Sequence, residues 1–563
     1  MGTPRFSIVI PTRDRADTLR HTLRTCLAQN FADFEIVVSD NDSSPAVREV
    51  VENFADSKIK YIRTRRLLAM SDSWEFALEH AAGEFITVIG SDDGLLLHAL
   101  TEIDRVLRMS DATILRWDSA CYNWPDLPAQ EHAAANALLL PLRQIDEYYP
   151  IQLRTSAPVM AAAANGRASY AELPMIYCSV IHRTWIERLR ERAGRVFQSE
   201  CPDIFSAFAF ASLAGAFYSV AAPIGICGLS GKSNGVAGLF LKEQSPVSQE
   251  FRGLNVKASH TRHPHAPAVP VLSAAVADSF LHAKAALFAD DPALTLDRKQ
   301  LTINCIDEYR LKGEEEWQQV RASLRQALAD DAELCAWFDN DYGNRTWASL
   351  NPPRHRYKRY GGAYMNLDAS EFGVRNIFEA AQLCEKLLGG RRDGFNYHVV
   401  PEPSEPRPSA NGSASRSLTV ATPTSCDSRM ISYAQNGEDV LLERLFRDVP
   451  AGFYIDVGAN DPVELSVTKH FYDRGWRGIN IEPGTEAFRR LSADRTRDQN
   501  LNLGLAETPA ERNFYELPGR SVLSTFSPEQ AALYRADGEE VIERSLEVST
   551  LAQVCAEIGR AHV

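Results

Sequence analysis

The chain has 563 residues, 45% hydrophobic and 24% charged, a balance typical of soluble globular protein with room for several cores. A net charge of −14 argues against a general nucleic-acid binder, which needs a basic face. The ten cysteines include no CxxC pair, which speaks against zinc and for free thiols in a reducing compartment.

The length predicts roughly three or four domains at ~150 residues each. No charged-then-apolar leader opens the chain, and no apolar run approaches the ~18 residues of a membrane span. A cytosolic protein is expected, with room for peripheral contact at the inner face of a membrane.

Residues 6–10 read as a strand. Residues 17–29 read as a helix, with Leu19, Leu23 and Leu27 four apart and Asp17 as its cap. Strands at 34–38, 59–62 and 85–89 then alternate with helices at 45–54 and 74–82. That alternation predicts an α/β fold whose mostly parallel sheet is covered on both faces. From about 125 the pattern turns aromatic and loop-rich, and from about 272 to 390 it is largely helical and charged. Residues 401–428, dense in proline and small polar residues, read as a flexible linker. The α/β pattern restarts at Ile431. The expected division is a domain at 1–260, a helical extension at 261–400, the linker at 401–428 and a second α/β domain at 429–563.

Three predicted strand ends carry polar residues: Pro11-Thr12, Ser39-Asp40-Asn41-Asp42 and Gly90-Ser91-Asp92-Asp93. Ligands of open α/β sheets collect at the carboxyl ends of strands, so these three can share one crevice. Adjacent carboxylates suit a hard divalent cation, Mn²⁺ or Mg²⁺, which prefers oxygen ligands and bridges phosphate oxygens. Asp40 could accept a hydrogen bond from a base edge or a ribose hydroxyl. The plainer alternative is that these are turn and cap aspartates, which are common at such places.

Several segments, taken in order, resemble glycosyltransferase family 2 and its GT-A fold. They are Ser7-Ile8-Val9-Ile10-Pro11-Thr12-Arg13-Asp14-Arg15, residues 36–43, 70–78 and 83–86, and Gly90-Ser91-Asp92-Asp93-Gly94. The resemblance is strong over about residues 5–120 and weaker to about 240. It implies an inverting transferase that moves a sugar from a nucleotide-diphosphate donor to a hydroxyl of a glycan or lipid-linked saccharide. On this resemblance Pro11, Thr12 and Asp40 would hold the nucleotide. Asp92 would sit near the ribose and Asp93 would ligate the metal. Ser91 stands where the family often has a further acid. The resemblance also implies a general base on a later segment. Asp203, opening a helix within residues 199–205, is the first candidate and Glu200 the second. Gly231-Lys232-Ser233-Asn234-Gly235 reads as a loop over the donor and lacks the spacing of a P-loop.

The second α/β segment holds another strand-end acid and glycine, Asp456-Val457-Gly458-Ala459-Asn460, and Glu482 closes the following strand. An acid there suits the two hydroxyls of a ribose. With no GxGxxG present, a phosphate-free cofactor fits better than a dinucleotide. Residues 432–439 and 456–460, Thr468-Lys469 and residues 475–483 resemble the FkbM-type methyltransferase family. That resemblance implies O-methylation dependent on S-adenosylmethionine, with Asp456, Gly458 and Asn460 lining the cofactor and Glu482 on its ribose. The family runs on into further strands where this chain ends in a predicted helix, so the implied Rossmann-like sheet is incomplete and C-terminally truncated. Two other readings stay open. One is a transferase whose C-terminal domain only binds or scaffolds; the other is a nucleotide-sugar binding protein without turnover.

Overall fold

The computed structural model describes residues 2–127, 134–141, 148–233, 246–310, 314, 317–350, 364–388, 395–399, 433–434, 438–446, 449–518, 520–536 and 538–561. The linker expected at 401–428 lies outside the described residues. The chain forms two compact units, Met1–Glu385 with Gly390–Ser409, and Lys386–Gly389 with Ala410–Val563. Among the described residues no helix is long and apolar enough to cross a membrane. The described cysteines are free thiols, most of them buried.

In the first unit β1 (Phe6–Thr12), β2 (Phe34–Asp40), β3 (Ile59–Arg63) and β4 (Phe85–Val88) lie in the order β3-β2-β1-β4, all parallel. Val9 and Val37 are fully buried, as expected of strands covered on both faces. Between the strands run α1 (Ala16–Leu27), α2 (Pro45–Phe54) and α3 (Met70–Glu79). Arg15, not Asp17, is the N-cap of α1. Asp17 falls in the first turn, where a negative charge faces the positive end of the helix dipole. α3 begins four residues before the predicted start, because Ser71 and Ser73 are buried and hide the apolar period.

The stretch after residue 125 is more regular than its sequence suggests. It continues the sheet with β7 (Ala137–Pro141), β8 (Tyr148–Thr155), β9 (Ser179–His182) and β10 (Ala216–Leu229), alongside β6 (Ile114–Asn123). It also forms α5 (Ser156–Ala164), α6 (Arg183–Ala193) and α7 (Pro202–Ala214). β6 is buried at every position and α7 nearly so, which removes the alternation that betrays a half-exposed element. The main path of the sheet starts at β12 (Asn396–Val399) and runs on through β8-β10-β6-β9-β4-β1-β2-β3. Here β11 (Tyr364–Asp368) pairs with β7 and β12 with β8, so the later, mainly helical part of the unit also supplies strands.

In the second unit β13 (Phe453–Val457), β14 (Arg477–Ile481) and β15 (Gln499–Leu501) form a parallel sheet in that order. A second sheet orders β16 (Gly504–Leu505), β18 (Ile542–Ser549) and β17 (Ala510–Glu516). The helix Leu551–Ala561 brings Val554 against Ile479 and Ile481 of β14. On β13, Phe453, Ile455 and Val457 remain exposed.

Candidate active site

The register of β1 and β2 sets Thr12 beside Asp40. Asp40 is fully buried. One of its oxygens accepts from the Ser43 backbone N–H at 2.7 Å. The other accepts from the Tyr61 hydroxyl at 2.6 Å and the Arg63 guanidinium at 3.0 Å. Thr12, which follows Pro11 at the end of β1, is buried, and its hydroxyl has no partner among the described residues; neither has that of Ser39. An orphaned buried hydroxyl costs ~1–3 kcal/mol unless a ligand meets it.

The turn after β4 carries Asp92 and Asp93. Thr22, on α1, donates to the carbonyl of Asp93 at 2.6 Å and lies 3.0 Å from that of Ser91. Asp93 is turned inward. One of its oxygens accepts from the Gly228 N–H at 2.6 Å, and the other from the Gly90 N–H at 2.8 Å and the Tyr177 hydroxyl. Burial, and then the neighbouring charge of Asp92, push the Asp93 carboxyl up to about 6. Asp92 is held differently, by side chains. Its oxygens meet the Arg15 guanidinium at 3.1 Å and the Ser230 hydroxyl at 2.6 Å. Gly228 passes so close that a Cβ there would lie 1.8 Å from the Asp92 carbonyl oxygen.

These contacts bear on which acid can hold a divalent cation. Asp93, the expected ligand, is the more heavily engaged of the two, with two backbone N–H groups and a phenol on its oxygens. Asp92 fits better, since its oxygens are held by two side chains, Arg15 and Ser230, and by no backbone N–H among the described residues. Among the described residues no group of three or more His, Cys, Asp or Glu is arranged as a metal cluster.

The shifted Asp93 gives a pH prediction. Above about 6 the carboxylate accepts all three donors; below it, a proton on Asp93 must displace one of them. Nucleotide affinity is therefore expected to fall as pH drops from 7.5 to 5, read by calorimetry. Constant affinity would show that the turn keeps its shape with Asp93 neutral.

Helix α3 links this turn to the segment leading into α7. Trp74 stacks on Tyr177 with centroids 5.8 Å apart and meets Phe197 edge-on at 5.6 Å. Glu75 accepts from the N–H groups of Val196 and Phe197, and Ser71 donates to the Ser199 carbonyl at 2.5 Å. Asp203 follows Pro202 in the first turn of α7 and is half-buried. Glu200 is committed elsewhere. It pairs at 3.1 Å with Arg262, whose guanidinium also donates to the carbonyls of Pro267 and Val269. Of the predicted donor loop, Gly231 donates to Asp126 and Lys232 pairs with Asp17 at 3.1 Å; Asn234 and Gly235 lie outside the described residues.

Sequence reasoning missed Gly228, Ser230 and Tyr177, because each reaches the acids from more than 80 positions away. The available signal was glycine inside an apolar strand, Gly225 and Gly228, which marks close backbone approach.

In the second unit the four predicted residues come together. Gly458 has φ +72° and donates to the Ile481 carbonyl at 2.8 Å. Glu482 accepts from the N–H of Asn460 at 2.8 Å and of Gly484 at 2.6 Å. Asp456 accepts from the Thr468 hydroxyl at 2.7 Å. Burial raises the pKa of both Asp456 and Glu482. The Asn460 side-chain oxygen is buried without a partner, and open space faces Gly458 where a Cβ would stand, so these residues fit a polar cofactor.

Arg495 was not foreseen. It is 1% exposed, donates to the Pro462 carbonyl at 2.7 Å and the Ser466 hydroxyl at 2.9 Å, and lies 3.2 Å from the Tyr454 hydroxyl. Arg495→Ala would strand these acceptors, a loss of ~3 kcal/mol locally. Amide exchange in β13 and β14 of the full chain should accelerate about a hundredfold. Unchanged exchange would show that water replaces the guanidinium.

Residues 7–152 match the family model described as Glycosyl transferase family 2, and residues 456–563 the one described as Methyltransferase FkbM domain. The chain is 34% identical over 103 residues (18% of this chain, 33% of the relative) to the GalNAc(5)-diNAcBac-PP-undecaprenol beta-1,3-glucosyltransferase of Campylobacter jejuni. It is 33% identical over 87 residues (16% of this chain, 34% of the relative) to the UDP-Glc:alpha-D-GlcNAc-diphosphoundecaprenol beta-1,3-glucosyltransferase WfgD of Escherichia coli. Identity is 47% over 62 residues (10% of this chain, 15% of the relative) with the Validoxylamine A glucosyltransferase of Streptomyces hygroscopicus. The match thus spans about a third of the first two relatives and less of the third. With both matches falling on the strand ends described above, the chain carries a glycosyltransferase family 2 domain at its N-terminal end and an FkbM methyltransferase domain at its C-terminal end.

Proposed function

We propose that the first unit transfers a sugar from a nucleotide-diphosphate donor to a hydroxyl of a glycan or lipid-linked saccharide, inverting the anomeric centre. The observation that carries this reading is the pair of unpartnered buried hydroxyls, Thr12 and Ser39, beside Asp40 and within the family 2 match. Pro11, Thr12 and Asp40 take the nucleoside, and Asp92 faces the diphosphate. A divalent cation, Mn²⁺ or Mg²⁺, would be held by Asp92 and supplies charge neutralisation on the leaving diphosphate. Asp93 acts as the buried anchor of the turn. Asp203 takes the proton from the acceptor hydroxyl as it attacks, while Glu200 stays paired with Arg262. Two relatives are named for undecaprenol-linked substrates, which favours a lipid-linked acceptor here and peripheral contact with the membrane that carries it.

In the second unit Asp456, Gly458, Asn460 and Glu482 would hold S-adenosylmethionine, the methyl source for O-methylation of a sugar hydroxyl. The orphaned Asn460 oxygen supports this reading.

The test is calorimetric titration of the full chain with UDP, GDP and dTDP sugars, with and without Mn²⁺, and separately with S-adenosylmethionine. Metal-dependent binding of one nucleotide class is expected. Failure of all three sinks the donor reading. Failure of S-adenosylmethionine leaves the second unit a scaffold.

A further inference from the structure

We propose that Arg15 is a movable counter-cation of the donor site, which neutralises Asp92 and turns to the donor's diphosphate when nucleotide and divalent cation bind. This rests on the reading of the first unit as a nucleotide-sugar site.

Asp92 and Asp93 are adjacent and both nearly fully buried, 3% and 4% exposed. Two neighbouring carboxylates in a low dielectric need opposing charge. Among the described residues Asp93 receives neutral donors alone: two backbone N–H groups and a phenol. The one full positive charge seen against the pair, among the described residues, is the Arg15 guanidinium at 3.1 Å from Asp92. Arg15 lies between β1 and α1, and its side chain is 15% exposed.

The same guanidinium also donates to the carbonyl of Lys232. In that turn the Ser230 hydroxyl donates to Asp92, and the Ser233 N–H donates to the Ser230 carbonyl at 2.9 Å. One side chain therefore ties the acid to the 230–233 turn. Arg15 competes with any divalent cation for Asp92, since both are positive and seek the same oxygen. A guanidinium released from Asp92 has a ready partner in a diphosphate, whose oxygens match its planar fork. Nucleotide and cation thereby help each other: the cation frees Arg15 for the phosphates, and the phosphates draw Arg15 from the cation's ligand. The 230–233 turn loses its Arg15 anchor in the same movement.

Arg15→Gln and Arg15→Lys in the full chain test this. The readouts are Mn²⁺ affinity without nucleotide, from the electron paramagnetic resonance signal of free Mn²⁺, and UDP, GDP and dTDP affinity with and without Mn²⁺ by calorimetry. Arg15→Gln should bind Mn²⁺ alone about tenfold more tightly and nucleotide in Mn²⁺ about tenfold more weakly, removing the coupling, with Arg15→Lys between. Opposite signs are the signature, because a merely structural arginine would weaken both. Mn²⁺ affinity that is unchanged or reduced in Arg15→Gln, while the wild-type chain binds Mn²⁺ and a nucleotide, overturns the proposal alone. A wild-type chain that binds no nucleotide under either condition overturns the donor reading, and this one with it.

Discussion

Asp203→Asn should lower sugar transfer by about a thousandfold while leaving nucleotide affinity within about twofold. An amide cannot take the proton of an attacking hydroxyl, and Glu200, the second candidate, is bound to Arg262. The fold should tolerate the change. Asp203 follows Pro202 in the first turn of α7, where asparagine keeps the size and much of the polarity of aspartate. Transfer is measured as release of nucleoside diphosphate with a saccharide acceptor, beside calorimetry for the donor. Glu200→Gln is the control, expected to cost stability through Arg262 and little in rate. If Asp203→Asn turns over at the wild-type rate, the base lies elsewhere.

Asp92→Asn should weaken nucleotide binding in Mn²⁺ about a hundredfold, while metal-free binding holds or strengthens because Arg15 is released for the diphosphate. The substitution removes the charge, and with it the Arg15 ion pair, without touching the backbone. The backbone there is fixed independently, by the Trp124 indole N–H donating to the Asp92 carbonyl at 2.9 Å and by Thr22 on the following residue. Asp93→Asn makes a sharp contrast. Its amide nitrogen would face an N–H or O–H donor whichever way it turned, so the turn itself should distort. If Asp92→Asn keeps full Mn²⁺-dependent affinity, the cation is held by other residues.

The first four strands were legible because each is a short apolar run ending in a polar turn, and because helices with a clear period separate them. The 45–54 helix, opened by proline, was predicted to the residue. β10 was not legible, and of α7 only its opening at Asp203 was, since a nearly fully buried element shows no polar face to count against. At the candidate site, the motif picks out Asp92 and Asp93 as a pair but does not say which way each points. Asp93 faces inward because Gly228 offers an N–H and no side chain, a fact held 135 positions downstream. Glu200 and Asp203 look alike in sequence; only the position of Arg262 separates them. In the second unit Asp456, Gly458, Asn460 and Glu482 cluster because two parallel strands end side by side, whereas Arg495 gave no signal beyond an ordinary charged stretch.

Strand β10 inserts between β6 and β8 and carries Gly228 at its C-terminal end, followed at once by Ser230. The two acids of the β4 turn thus stay without two of their five partners, Gly228 and Ser230, until a strand synthesised more than a hundred residues later has docked. Long-range closures of this kind come late in folding. A growing chain therefore displays all three strand-end motifs well before the acids of the β4 turn are fully held.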